Sequence, residues 1–159
     1  MKMLDIHLRL LLAETQANYS RVIDNDQLED WPEFFEERCL YRITTAENFR
    51  EGLSFSLVYA DSKGMLQDRV AALRDANIYE QQNYRHVLGT ACILDVQGDT
   101  FRSETSFMVA RVMRTGDTTL FATGRYVDTY RLVSDKLLLT ERVVVCDSNT
   151  IDTLLALPL

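Results

Sequence analysis

The sequence predicts an α+β fold in which helices segregate to one side of a strongly curved, mainly antiparallel sheet. Three observations carry this. Helical spacing of apolar residues is confined to the first half of the chain, and the segment from Tyr84 to Leu159 reads as four long strands. The links between those strands, Gln97-Gly98-Asp99, Gly116-Asp117 and Ser134-Asp135, carry tight-turn chemistry at hairpin spacing.

Taken in order, Met3 to Asn25 places Leu4, Leu8, Leu11, Leu12, Tyr19, Val22 and Ile23 on one helical stripe, and Asp24-Asn25-Asp26 ends it. A short second helix follows, capped near Asp30, with Pro32 in its first turn where the missing amide hydrogen is harmless. Trp31, Phe34 and Phe35 are its apolar payload. Cys39 to Thr44 reads as a strand, Thr44 to Gly52 as a surface loop and Leu53 to Ala60 as a second strand. Ser62 caps a third helix carrying Met65, Leu66, Val70 and Leu73 to about Asn77, and Tyr79 to Asn83 is a polar connection. The meander then runs through Tyr84–Val96, Thr100–Thr115, Thr118–Leu132 and Lys136–Asp147. No linker, repeat or low-complexity stretch interrupts residues 1–159, so one domain is expected.

The long strands are apolar on both parities. In the last of them Leu137, Leu139, Val143 and Val145 share one, while Leu138, Val144 and Cys146 share the other. A sheet with one wetted face alternates, and continuous apolar runs mark strands covered twice. Something must therefore cover the second face.

Composition narrows the function. A chain of 159 residues buries roughly 70% of its unfolded surface and needs no metal or disulfide to hold together. Its formal charge of -7 argues against nucleic acid or an anionic membrane as a partner. Fourteen of the 17 basic residues are Arg, the cation suited to desolvated pairing and interfaces. Cys39, Cys92 and Cys146 are an odd number without close spacing, so no disulfide framework is implied, and their apolar neighbours predict buried, reduced thiols. Asp5, His7 and Arg9 break the apolar N-terminal stretch, and no run is long enough to span a membrane, so a cytoplasmic location is expected.

The inventory of reactive groups is thin. Of the two histidines, His7 and His86, neither lies near a cysteine, so a Rieske centre lacks ligands, and a facial iron triad would need both to converge. No phosphate-binding glycine loop or nucleophile elbow is present. Catalytic, cofactor-binding and metal-binding residues are therefore expected to be none. One alternative remains: a pocket between the helices and the sheet, lined by Tyr19, Asp24, Trp31, Tyr41, His86 and Tyr126. There His86 with Asp24 or Asp30 would serve a stand-alone dehydratase or isomerase as an acid-base pair. The plainer reading is preferred: Trp31 and Tyr41 are core aromatics and His86 is a satisfied strand residue, because two polar residues on apolar elements carry little weight. Asp68 and Arg69 read as a local pair. Arg85, Arg125 and Arg142 either pair with Glu104, Asp128 or Glu141 or are desolvated at an interface.

Tyr19-Ser-Arg-Val-Ile-Asp24, Leu28-Glu-Asp-Trp31, Phe34-Phe35 and Leu40-Tyr41 form a collinear set with Asp68-Arg69-Val70 and Tyr84-Arg85-His86. Gly124-Arg125-Tyr126 and Arg142-Val143-Val144-Val145-Cys146-Asp147 complete it. Together they resemble the small, or β, subunit of aromatic-ring-hydroxylating dioxygenases, with likeness to the terephthalate branch in Ala72–Tyr79 and in the tail from Asp147 to Leu159. The resemblance implies a nuclear-transport-factor-2-like cone and a structural role in an α3β3 hexamer. It also implies an α subunit carrying the Rieske cluster, the mononuclear iron and the substrate pocket, and a separate reductase using NAD(P)H. The partner-contact candidates are Arg85, His86, Arg125 and Arg142, with Leu154, Leu155 and Leu157 of a tail too apolar to dangle in water.

Overall fold

The computed structural model describes residues 3–76, 81–150 and 155–159, with side chains from Asp5 onward. The expected contribution of Leu4, the helix end at Asn77, the start of the connection at Tyr79 and the contact at Leu154 lie outside the described residues. Helix α1 spans Met3–Asp24, and a 3-10 helix spans Leu28–Phe34 with Pro32 inside it. Strand β1 (Phe35–Thr45), helix α2 (Ala46–Arg50), strand β2 (Val58–Ala60) and helix α3 (Lys63–Asp75) follow. Strands β3 (Gln82–Leu88), β4 (Cys92–Gln97), β5 (Thr100–Met113), β6 (Thr118–Val133) and β7 (Lys136–Cys146) complete the order.

The seven strands form one sheet in the order β2-β1-β7-β6-β5-β3, with β4 also paired to β5. The meander from β3 to β7 is antiparallel as expected. The strand expected over Tyr84–Val96 is two, because the chain leaves the ladder at Gly89–Ala91; β3 and β4 then lie against opposite ends of β5. Turn chemistry explains the hairpins. Ser134 and Asp135 both adopt positive φ, +49° and +61°, as a type I′ turn demands. At Gly98-Asp99 only the glycine does, at +64°, as in type II′.

Three local expectations change. Leu53–Leu57 is not strand; only Val58–Ala60 pairs with β1. The loop after β1 contains α2, started by the Thr45 hydroxyl, which accepts from the Asn48 amide at 3.2 Å. β1 runs parallel to β7, a long-range pairing absent from a pure meander.

The two parities of β7 also read differently in three dimensions. Thr140 is an extra residue between Leu139, opposite Tyr130, and Glu141, opposite Thr129. This bulge switches the inward set from Leu137 and Leu139 to Arg142, Val144 and Cys146. Val143 and Val145 then face outward, yet they are only 3% and 0% exposed. The chain itself covers them. Helix α2 packs on β1 and β7, and the neighbouring Thr44 hydroxyl donates to the Phe55 carbonyl at 3.0 Å. Surplus apolar surface lies elsewhere, at Val87 and its partner Met108 on the far end of the sheet, and along Leu53, Phe55, Leu57 and Tyr59.

Inside the curve, α1 contributes Leu12, Tyr19 and Ile23 to a core shared with Trp31, Phe35, Tyr41, Ile43 and the inward residues of β5–β7. Phe34, expected in this group, is only partly buried. Helix α3 is capped by Ser62, whose hydroxyl accepts from the Met65 amide at 3.2 Å, and buries Leu66 and Val70. Met65 itself is exposed, and so is Cys92 of β4, expected to be buried with Cys39 and Cys146. Arg74 at the end of α3 reaches Glu29 at 2.7 Å and Asp26 at 2.8 Å, tying the helix to the 3-10 turn.

Candidate functional site

The residues expected to line one pocket separate into two places. Tyr19, Trp31, Tyr41 and Tyr126 are all fully buried and pack together with Phe35. Trp31 meets Tyr41 edge-on at 5.1 Å, and Tyr19 meets Tyr126 at 6.3 Å. The mouth of this aromatic end is filled by the chain's own tail. Leu157 is 5% exposed and Leu159 0%. The Tyr19 and Tyr41 hydroxyls donate to the main-chain oxygen of Leu159 at 3.0 and 3.1 Å, and the Leu159 amide donates to the Tyr41 oxygen at 3.1 Å. Desolvation by burial raises the pKa of both phenols, so they stay neutral donors.

Deeper in the cone lies Arg142. Its guanidinium binds Asp128, its direct cross-strand neighbour, through Nε at 2.9 Å and Nη2 at 2.8 Å. It also donates to the Tyr130 hydroxyl at 3.0 Å. The Tyr19 and Tyr126 rings cover its faces at 4.1 and 3.9 Å. Both charged side chains are wholly buried. Arg142 is thus removed from the interface candidates: the bulge at Thr140 turns it inward, and its carboxylate partner comes from the same chain.

The Asp24–His86 pair forms, at a second place. Asp24 Oδ1 is 2.6 Å from His86 Nδ1, and Asp24 Oδ2 accepts from the His86 backbone amide at 2.9 Å. One carboxylate at the end of α1 therefore clamps β3 by ring and backbone together. His86 faces inward because its cross-strand partner Val109 does. The pair lines a groove of about 630 Å³ between α1 and the β3–β4 corner, with Arg9, Gln16, Arg21 and Arg85. The His86 ring is fully buried and its Nε2 has no hydrogen-bond partner, so it does not present a base to the groove. Asp30, the alternative partner, is exposed and lines a different groove.

Of the remaining candidates, Arg85 projects outward with a side chain 70% exposed, 3.9 Å from Asp24. Arg125 lies on the outer face of β6, 3.6 Å from Glu104 and over the Phe49 ring at 5.6 Å. Leu155 is partly buried, and its carbonyl accepts from Arg69 Nη2 at 3.1 Å. That bond, more than the expected local pair with Asp68, describes what Arg69 does. Sequence reasoning missed Gln16, a buried polar residue of α1 whose side chain donates to the Thr105 hydroxyl at 2.9 Å. Its place on the stripe between Leu12 and Tyr19 was the available signal.

Among the described residues no group of three or more His, Cys, Asp or Glu is gathered as a metal site would require, and no helix is long and apolar enough to cross a membrane. His7 sits on the exposed part of α1, far in role from His86, whose Nδ1 is committed to Asp24.

Comparison with known proteins places this architecture. The family described as ring hydroxylating beta subunit matches residues 19–153. The subunit beta 1 of the terminal oxygenase component of terephthalate 1,2-dioxygenase from Comamonas sp is 47% identical over 148 residues, covering 93% of this chain and 96% of that one. The small subunit of anthranilate 1,2-dioxygenase from Burkholderia cepacia is 36% identical, covering 91% and 89%. A crystal structure of the β subunit assigned to an aromatic-ring-hydroxylating dioxygenase of Novosphingobium aromaticivorans superposes with a TM-score of 0.91 at 37% identity over 99% of this chain and 100% of that one. With its helices packed into a strongly curved sheet of nuclear-transport-factor-2-like form, the chain belongs to the β (small) subunits of aromatic-ring-hydroxylating dioxygenases.

Proposed function

We propose that this chain is the structural subunit of a terminal oxygenase acting on terephthalate or a related aromatic carboxylate, as one domain of a cytoplasmic α3β3 complex. The observation that carries this reading is the 47% identity to a terephthalate dioxygenase β subunit, sustained over nearly the full length of both chains. In this reading an α subunit holds the Rieske cluster, the mononuclear iron and the arene pocket, and a reductase delivers electrons to it. The residues here suit that division. Neither histidine is placed to share a metal, and the aromatic end of the cone is packed with the chain's own side chains.

The chain's part is to present surface. Val87 and Met108, exposed at 60% and 48%, with Arg85 beside them, form an outward apolar and cationic patch on β3–β5. Leu53, Phe55, Leu57 and Tyr59 form a second exposed apolar row leading into the edge strand β2. Arg125 and Leu155 complete the proposed contacts, whereas Leu157 and His86 act from inside by fixing the tail and the β3 edge. Such areas suit an obligate interface, which resembles a core cut in half.

Co-expression with a candidate α chain, followed by gel filtration and oxygen uptake with terephthalate, salicylate and anthranilate, tests the reading. A complex larger than a β trimer that consumes oxygen with terephthalate is the expected result. His86→Ala should leave turnover of that complex within a few-fold of the parent; a loss of about 100-fold or more would instead mark general acid-base work by His86. A β chain that purifies alone and as a monomer would sink the proposal.

A further inference from the structure

Helix α1 carries a stripe that the core does not use. Ile6, Leu10, Ala13 and Ala17 recur at helical spacing on one side, and all four are exposed, Ile6 and Leu10 at 45% and 61%. Ala13 and Ala17 form one lip of the groove of about 630 Å³ beside α1, and Leu88, Gly89, Thr90 and Ala91 of the β3–β4 corner form the other. Apart from Leu88 these side chains are small, so another element can come close. A strand cannot add at His86. β3 ends the sheet, and the outward amide of His86 donates to Asp24 Oδ2 at 2.9 Å, so α1 already blocks that part of the free edge. The charge at the rim has the opposite sign to the chain. Against a formal net charge of -7, the rim carries Arg9, Arg21 and Arg85, all exposed. Asp24, the carboxylate that lines the groove, is bound to His86 at 2.6 Å, and Arg9 is shared with Asp5 at 2.9 Å. The groove on the other side of α1 is lined instead by Glu14, Asp30, Glu33 and Asp135, with Lys136. An acidic segment is therefore drawn to one side of α1 and turned away from the other.

We propose that the groove between α1 and the β3–β4 corner receives an acidic amphipathic helix of the α subunit, with small or aliphatic residues against Leu10, Ala13 and Ala17 and carboxylates against Arg21 and Arg85. The inference rests on the structural-subunit reading and names the partner chemistry at one of its surfaces. Arg85 joins the groove to Val87 on the outer face of the same strand and to Met108 opposite it, so a helix seated here continues that contact around the sheet edge. Apolar anchors at helical spacing with charge at the border are how a groove recognises a helix.

The test uses the complex formed when this chain is co-expressed with a candidate α chain. Arg21→Glu/Arg85→Glu and, separately, Ala17→Trp, which fills the groove without changing its charge, should each raise the α–β dissociation constant about tenfold or more, read by dilution of the complex on gel filtration. Glu14→Lys, on the other side of α1, should not. All four positions are exposed, so the fold should survive, checked by circular dichroism. A benzophenone maleimide on Ala17→Cys, in a Cys92→Ser background because Cys39 and Cys146 are buried, should label an α peptide bearing Asp or Glu at three- and four-residue spacing. Label on a second copy of this chain or on a basic α segment overturns the proposal, as does a dissociation constant unchanged by both the charge reversal and the filled groove. In those cases the complex still forms and the structural-subunit reading stands. A parent chain that retains no α sinks both.

Discussion

Asp128–Arg142 and Asp24–His86 are both buried charge-bearing pairs, but one is closed on every side and the other is a clasp between two elements. Arg142 and Asp128 face each other across adjacent strands, with both side chains wholly buried and tyrosine rings over the guanidinium. Asp24 comes from the last residue of α1 and reaches β3 across a groove, with Arg85 open to solvent beside it. A closed pair makes sheet register costly to change, since either partner alone would be an uncompensated charge in the core. A clasp fixes how a helix sits on a sheet edge. The first specifies the fold, and the second specifies the shape of the surface that the proposed partners meet.

The seam between β6 and β7, where the closed pair lies, should be the least forgiving part of the molecule. A side-chain carbon at Gly124 would run into the Val145 carbonyl oxygen, so Gly124→Ala should cost at least about 4 kcal/mol or yield no folded product, read by chemical denaturation. Arg142→Ala should cost about 3–5 kcal/mol by stranding Asp128, while Asp128→Leu with Arg142→Met should recover most of it. A double variant no more stable than the single would show that the rings, and not the charges, dominate. At the clasp, Asp24→Asn should cost less, about 2 kcal/mol, and raise hydrogen exchange in β3 while β6 and β7 stay protected.

Alkali tests the closed region in another way. Burial raises the phenols of Tyr19, Tyr41, Tyr126 and Tyr130, and lifts the Cys39 and Cys146 thiols to about 11 and about 12. Every one of these folded-state values exceeds its unfolded counterpart, 10.0 for phenol and 9.0 for thiol. Their stabilisation is therefore whole below about pH 9 and is lost as pH climbs toward the folded values. Tyrosinate absorbance from the four rings should appear together with loss of near-ultraviolet dichroism, not ahead of it. The smallest effect belongs to the hairpin leading into the seam: Ser134→Asn with Asp135→Gly should stabilise by up to about 1 kcal/mol, because both positions hold positive φ.

What could be read from the sequence was local. The turn at Ser134-Asp135 set the β6–β7 pairing, and with it the possibility that Arg142 meets Asp128. Ser62 marked a helix start for reasons that act within one turn, whereas the 3-10 helix begins at Leu28 with Gln27 at its cap, ahead of the expected cap at Asp30 and of Pro32. The bulge at Thr140 carried no such mark, so the parity of β7 was assigned straight through it, and the surplus apolar face was placed on a strand that the chain covers itself. The tail announced its burial through four leucines but not its address, since the tyrosines that receive it are 118 and 140 residues away. His86 and an aspartate were rightly joined; choosing Asp24 over Asp30 needed the packing of α1 on β3.

The parallel pairing of β1 with β7 has a temporal consequence. Tyr41 and Arg142 are register partners about a hundred residues apart, so β1 gains its inner neighbour only after almost the whole polypeptide has been made. Until then α1, the 3-10 helix and β1 leave the ribosome with Trp31, Phe35 and Tyr41 uncovered, a nascent stretch suited to chaperone capture. Slow, late-closing maturation of this kind would let subunit encounter and the last step of folding happen together.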